Sequence, residues 1–240
     1  MFLPHLTFPN LPEWRNFRRL GEAHRTTPMS RIIIFANGEL PDREKARALI
    51  HAGDYIICAD GGARHALALG ITPRLLIGDM DSVTKDEVGQ LRRAQVPMEL
   101  YPRDKDETDL ELALRAALAQ RPTSILVVAA LGNRLDQTLG NISLLADARL
   151  ATLDCRLDDG REEVFFCRGR SKIEGRRGDI VSLIPWNGAV KGIHTAGLRW
   201  PLNGETLYSD KTRGMSNEML QAAAEVDLES GLLLIVHARR

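Results

Sequence analysis

Between Arg31 and about Leu150 the chain alternates short, wholly apolar runs with amphipathic stretches, and this rhythm narrows the possible folds more than any other feature. "RIIIF", "YIICA", "RLLIG" and "SILVVAALG" lack the polar-apolar alternation of a strand with one wet face. They read as strands buried on both sides, the condition of a parallel sheet covered by helices on each face. The weaker run "MELYPR" predicts a further strand. The intervening stretches "DREKARALIHAG", "ARHALALG", "TKDEVGQLRRAQ", "TDLELALRAALAQ" and "DQTLGNISLLADARL" predict helices. Gly53 closes the first, and Thr84 and Glu87 are spaced as a capping box at the start of the third.

The pattern changes after about residue 151. "TLDCRLDDGREEVFFCRG" predicts two strands about an Asp-Asp-Gly turn, and "DIVSLIPWNG", "AVKGIHTAG", "LRWPLNG" and "AAEVDLESGLLLIVHA" continue as short runs broken by Gly, Pro and Asn. That spacing predicts an all-β, sandwich-like domain. The expected organisation is an extension over 1–28, an α/β domain with a largely parallel sheet over 29–150, and the β domain over 151–240. The extension mixes proline with scattered aromatics and shows no clean period or signal-peptide order, and Met29 opens a natural domain start.

"LIGDMDS" (76–82) ends an apolar run in two carboxylates one residue apart, although aspartate is depleted in strands. In open α/β sheets ligands sit outside the carboxyl ends of the strands. Four successive strand ends carry such residues: Asp60-Gly61-Gly62, then Asp79 and Asp81, then the 104–109 run "DKDETD", then Gly132-Asn133-Arg134-Leu135-Asp136. Several have ordinary structural readings. Thr108 and Glu111 fit a capping box, Asp136 an N-cap, the two glycines a turn, and Trp200 an aromatic of the β core. Caps do not account for Asp60, Asp79, Asp81 and Asp109 on one rim, because like charges repel unless a cation neutralises them. Mg²⁺ bridging nucleotide phosphates resolves the repulsion.

Lys+Arg equal Asp+Glu at 32 each, so there is no net charge of the kind that draws nucleic acid or an anionic membrane, and no apolar run reaches the roughly 18 residues of a membrane span. Cys58, Cys155 and Cys167 form no CxxC and predict buried free thiols in a reducing, cytoplasmic setting. Neither GxxxxGK[ST] nor GxGxxG occurs, which disfavours a Walker-type kinase and a dinucleotide enzyme.

Taken in order, "ADGGA" (59–63), "GDMDS" (78–82), "KDETDLELAL" (105–114), "GNRLDQTLGNI" (132–142), "GLRWPL" (197–202) and "MSNE" (215–218) resemble the thiamine pyrophosphokinases from about Ile33 to the C-terminus. The resemblance implies an α/β domain, a β-sandwich, a homodimer with interfacial active sites, and transfer of a pyrophosphoryl group from ATP to thiamine, giving thiamine diphosphate and AMP. It implies Asp79, Asp81 and Asp109 as Mg²⁺ ligands, and Asp60, with Asp81 and Asp109, close to the reacting groups. Lys105, Thr108, Arg134 and Asp136 then contact or organise the nucleotide phosphates. Trp200, Ser216 and Asn217 receive thiamine, with the partner subunit completing the site. The chain departs from the family in three places: Asn133 replaces a common glycine, "MSNE" abbreviates a serine-rich stretch, and 1–28 match nothing. Competing readings are a pterin pyrophosphokinase, a DxD glycosyltransferase using a nucleotide sugar, and a non-enzymatic nucleotide sensor. "GLRWPL" with "MSNE" favours thiamine, and the glycosyltransferase leaves "TDLE" and "GNRLDQ" unexplained.

Overall fold

The computed structural model describes residues 31–132 and 134–240. The 1–28 extension and Asn133 therefore lie outside the described residues. The parallel strands form as the apolar runs predict: β1 Arg31–Phe35, β2 Tyr55–Ala59, β3 Leu75–Gly78, β4 Met98–Leu100 and β5 Ser124–Val128. Their order is β4-β3-β2-β1-β5, followed by β6 (Asp154–Asp158), and every neighbouring pair in that run is parallel. β6 follows residue 151 yet continues the parallel register of β5, and β7 (Glu162–Cys167) is the first antiparallel partner.

Ile32, Ile33, Ile34 and Phe35 are all fully buried because successive side chains of β1 enter opposite cores. Ile32 and Ile34 pack with Leu110, Ala113 and Ala117 of α4 (Asp109–Ala119). Ile33 and Phe35 pack with Ala63 and Ala66 of α2 (Ala63–Ala68) and Leu91 of α3 (Lys85–Arg93). α3 carries the full Thr84–Glu87 capping box. α1 (Arg43–Ala48) is shorter than its sequence pattern, which runs to Gly53. The backbone N–H of His51 donates to Asp54 Oδ2, and the same carboxylate binds Arg31, so a side-chain turn takes over from the helix. α5 is Leu135–Leu144. Its N-cap position is Arg134, with no side-chain cap, so Asp136 sits within the first turn and is not the cap that its sequence position allows.

The C-terminal region is antiparallel, with β13 (Ser230–Ala238) between β7 and β9. "DIVSLIPWNG" and "AVKGIHTAG", expected as separate strands, form one 17-residue strand, β9 (Ile180–Ala196). Left-handed Asn187, Gly188 and Gly192 bend it without ending it. Its first part pairs with β13 and with β11 (Asn217–Glu218), and its second with β10 (Asn203–Leu207) and β12 (Ala223–Asp227). β12 also pairs with β8 (Arg170–Glu174). One apolar core containing Phe165, Ile173, Leu183, Val226 and Ile235 lies between these layers.

Ion pairs tie the last strand to this frame. Asp158, itself buried, receives both Nη atoms of Arg239 at 2.7 Å, and fully buried His237 lies between Glu163 and Asp179. Cys58, Cys155 and Cys167 are buried free thiols. No helix among the described residues is long and apolar enough to cross a membrane.

Candidate active site

β1 pairs with β2 on one side and β5 on the other, so the chain reverses its direction of sheet growth there, and the crevice outside such a switch point is where open α/β sheets bind ligands. An open cleft of about 380 Å³ lies there, lined by the loops that leave β1, β2, β3 and β5 and by the first turns of α4 and α5. "ADGG" makes one tight turn from β2 into α2. A Cβ on Gly62 would come within 2.0 Å of the Phe35 carbonyl oxygen, and one on Gly61 within 2.4 Å of Asn37 Oδ1. Glycine at both positions lets the turn lie on the end of β1.

The turn holds Asp60 in a left-handed conformation (φ 44°) with its side chain in the cleft, 3% exposed. A non-glycine residue in that region is strained and marks a site that the surrounding fold dictates. Gly78, at φ 146°, ends β3. Asp79 follows, then Met80 at φ 62°, a second left-handed residue, which turns the chain before Asp81. Thr108 caps α4 by accepting from the N–H of Glu111, and so sets Asp109 in its first turn.

Asp60, Asp79 and Asp109 each offer an oxygen, and the three atoms lie within 4.8 Å of one another. Asp60 Oδ1 and Asp109 Oδ1 are buried and accept no hydrogen bond. Such orphaned anionic oxygens are costly in protein and are the hard donors that a divalent cation of the Mg²⁺ type takes. Lys105 Nζ lies 3.1 Å from Asp109 Oδ1 and 3.6 Å from Asp79 Oδ2.

Electrostatics separate the carboxylates. The backbone N–H of Asp81 donates to Asp79 and, against the effect of burial and with help from Lys105, holds its pKa below the usual carboxylate value. Burial lifts that of Asp109; the charges of Asp60 and Asp79 add to the rise and Lys105 opposes it. Burial pulls the Lys105 ammonium down, but Asp109 and Asp79 outweigh it and leave its pKa raised.

Asp81 lines the cleft but lies outside the converging trio; it faces Arg103 at 3.7 Å and accepts from Ser82. Thr108 and Arg134 also line the cleft. Arg134 Nε donates to Asp136 Oδ1 at 3.1 Å, and both side chains are exposed. Asn37, Gln137 and Asn141 line the cleft too, although sequence reasoning did not single them out. "ANG" (36–38) follows β1, the one buried strand whose end was passed over, and residues 134, 137 and 141 share one helical face.

Trp200, Ser216 and Asn217 lie apart from this cleft. The 197–200 and 217–220 segments run side by side, joined by the Leu198–Met219 bridge and by Arg199 N–H to Glu218 O. Asn217 is buried, accepting from the Trp200 N–H and donating to the Trp200 carbonyl. Exposed Ser216 is left-handed (φ 56°), and its N–H donates to Ser182 Oγ. Trp200 is 57% exposed, which overturns its reading as a core aromatic.

The family model "Thiamin pyrophosphokinase, catalytic domain" matches residues 46–157, and "Thiamin pyrophosphokinase, vitamin B1 binding domain" matches 170–233. The thiamine pyrophosphokinase of Bacillus subtilis (strain 168) is 30% identical over 184 residues, 76% of this chain and 86% of that protein. The chain belongs to the thiamine pyrophosphokinase family. Thiamine pyrophosphokinase 1 of Arabidopsis thaliana is 28% identical over 214 residues, covering 77% of this chain and 78% of its own. The crystal structure of the Bacillus subtilis thiamine pyrophosphokinase superposes with a TM-score of 0.79 at 26% identity, covering 88% of this chain and 100% of the other. The family's catalytic part spans the cleft from β2 to β6, and its vitamin-binding part spans the segments around Trp200 and Asn217.

Proposed function

We infer that this protein transfers the pyrophosphoryl group of ATP to the hydroxyl of thiamine, yielding thiamine diphosphate and AMP. The observation that carries the reading is the convergence of Asp60, Asp79 and Asp109, two of which hold orphaned buried oxygens, in a chain matched over both its catalytic and its vitamin-binding parts. The match over 170–233 favours thiamine over a pterin or a sugar as acceptor.

The donor set fits Mg²⁺, with Asp60, Asp79 and Asp109 as holders, and Asp81, which lines the same cleft outside the trio, acting through water. When bound there, Mg²⁺ supplies charge neutralisation and a template for the phosphate oxygens. Lys105, Thr108 and Arg134 line the same cleft and bind the phosphates, with Asp136 steadying the Arg134 guanidinium. The thiamine hydroxyl oxygen bonds to the β-phosphorus, the bond from that phosphorus to the α–β bridging oxygen breaks, AMP leaves, and a cleft carboxylate accepts the hydroxyl proton.

Thiamine carries a cationic thiazolium, which the face of Trp200 binds well. Within one chain Trp200 and the acidic cleft do not meet. Exposed Trp200, Met215 and Leu220 around the 197–220 segments support a homodimer in which a second copy completes each site. The buried free thiols support a reducing, cytoplasmic setting.

The test is to incubate the protein with ATP, Mg²⁺ and thiamine and to identify the products by chromatography. AMP and thiamine diphosphate in equal amounts, abolished by a chelator, are expected; stoichiometric ADP and thiamine monophosphate would refute the reading.

A further inference from the structure

Three carboxylates within 4.8 Å of one another cannot all stay ionised and unpaired, and Lys105 is the cation that stands among them. Its side chain is only 10% exposed, between Asp79 and Asp109. The contact is unlike a finished structural ion pair. Asp109 Oδ1 has the ammonium at 3.1 Å, an ion-pair contact that leaves this buried oxygen without a hydrogen-bond partner. Asp60 Oδ1, on a residue 3% exposed, has no partner, and Asp60 lines the same cleft and offers an oxygen to the same cluster. The lysine thus lends charge to the cluster without satisfying its oxygens.

Its attachment allows it to leave. Lys105 lies in the loop between β4 and α4, four residues before Asp109, and a lysine ammonium rides on a flexible four-carbon stem. Thr108 and Arg134 line the same cleft, so an entering polyphosphate offers the ammonium a new anionic partner within its reach.

We propose that Lys105 is the resident counter-ion of the Asp60–Asp79–Asp109 cluster, displaced when nucleotide phosphates draw its ammonium away, so that the nucleotide-free protein holds divalent cations weakly and the metal enters together with ATP. The proposal rests on the metal-binding reading of the cluster. It makes cation and nucleotide binding cooperative, because the ligand that removes the lysine opens the site for the other, and such coupling is reciprocal.

The test is a Mn²⁺ titration of the nucleotide-free protein followed by electron paramagnetic resonance, which reads free Mn²⁺ directly. Lys105→Met is expected to bind Mn²⁺ at least tenfold more tightly than the wild type, and Lys105→Gln to move in the same direction. Lys105→Arg keeps the charge and is expected to stay within about threefold of the wild type. Adding Asp60→Asn to Lys105→Met should abolish the gain, which places the bound ion at the cluster. Urea unfolding establishes that each variant is folded, and Lys105→Gln carries the test if Lys105→Met is not. Wild-type turnover that needs a divalent cation, together with unchanged or weaker Mn²⁺ binding in both neutral variants, overturns the counter-ion role alone. Wild-type turnover that persists in a chelator removes the metal site itself, and this proposal with it.

Discussion

Gly78 is the residue whose replacement tests the architecture of the cleft most directly. It ends β3 at φ 146°, where L side chains rarely sit, and a Cβ there would lie 2.9 Å from Asp60 Cβ and 3.0 Å from Asp109 Oδ1. Backbone strain of this kind costs on the order of 1–3 kcal/mol. Carbon contacts relax near 3.5–4.0 Å, so Asp60 must retreat by roughly 0.5–1 Å, and overpacking on this scale costs about 1–3 kcal/mol more. The retreat is resisted because Asp60 is held by a turn whose glycines already abut Phe35 and Asn37. Gly78→Ala should therefore destabilise the fold by about 3 kcal/mol, roughly 6–12 °C in Tm for a chain of this size. Prising Asp60 and Asp109 apart should also cost about a hundredfold in kcat/KM for ATP, the usual effect of misplacing reacting groups by an ångström. Gly70→Ala is the control: φ is 70° and nothing lies within 4 Å of the added carbon, so only about 1 kcal/mol of backbone strain and normal kinetics are expected. Scanning calorimetry and steady-state kinetics on both variants decide the matter. Gly78→Ala matching Gly70→Ala in both Tm and kcat/KM would show that Gly78 does not set the spacing of the carboxylates.

Other perturbations separate charge, acceptor binding and fold. Asp109→Asn keeps the size of a half-buried carboxylate whose neighbours Asp60 and Asp79 repel it, so turnover should fall at least a hundredfold while Tm holds or rises; near-normal turnover at saturating Mg²⁺ would count against its role. Trp200→Ala should raise the thiamine KM about tenfold, the worth of roughly 1–2 kcal/mol of stacking on a cation, and leave the ATP KM unchanged. At thiamine well below its raised KM, mixing that variant with Asp109→Asn should restore some activity once subunit exchange is shown by tagged pull-down, and mixed dimers that show no gain place the tryptophan within its own chain's function. Burial works against the charged form of His237, but Glu163 and Asp179 outweigh it and leave its pKa raised. The stability it adds is complete below the unfolded value of about 6.5 and is lost as pH rises through the folded value. The difference in unfolding free energy between wild type and His237→Gln should accordingly shrink from pH 6 to pH 9 in urea titrations, and a constant difference would contradict the ion-pair account.

The elements themselves were legible in the sequence because their causes are local. Four consecutive apolar residues in "RIIIF", β-branched and aromatic, read as a strand covered on both faces, and Thr84 with Glu87 writes a helix start within four positions. The strand-end rule then puts the acidic residues on one rim from the sequence alone. Which of them meet was decided by tertiary structure. Asp79 and Asp81 look equivalent in "GDMDS", yet the left-handed Met80 between them keeps Asp79 in the trio and leaves Asp81 outside it, facing Arg103. Asp60 enters the trio from a left-handed backbone, in a turn whose next two residues, Gly61 and Gly62, lie too close to Asn37 and Phe35 to carry a Cβ. The union of two apolar runs into β9, the lysine between two carboxylates and the exposure of Trp200 share that origin. Each depends on the relative placement of segments tens of residues apart, which the periodicity of any one segment does not encode.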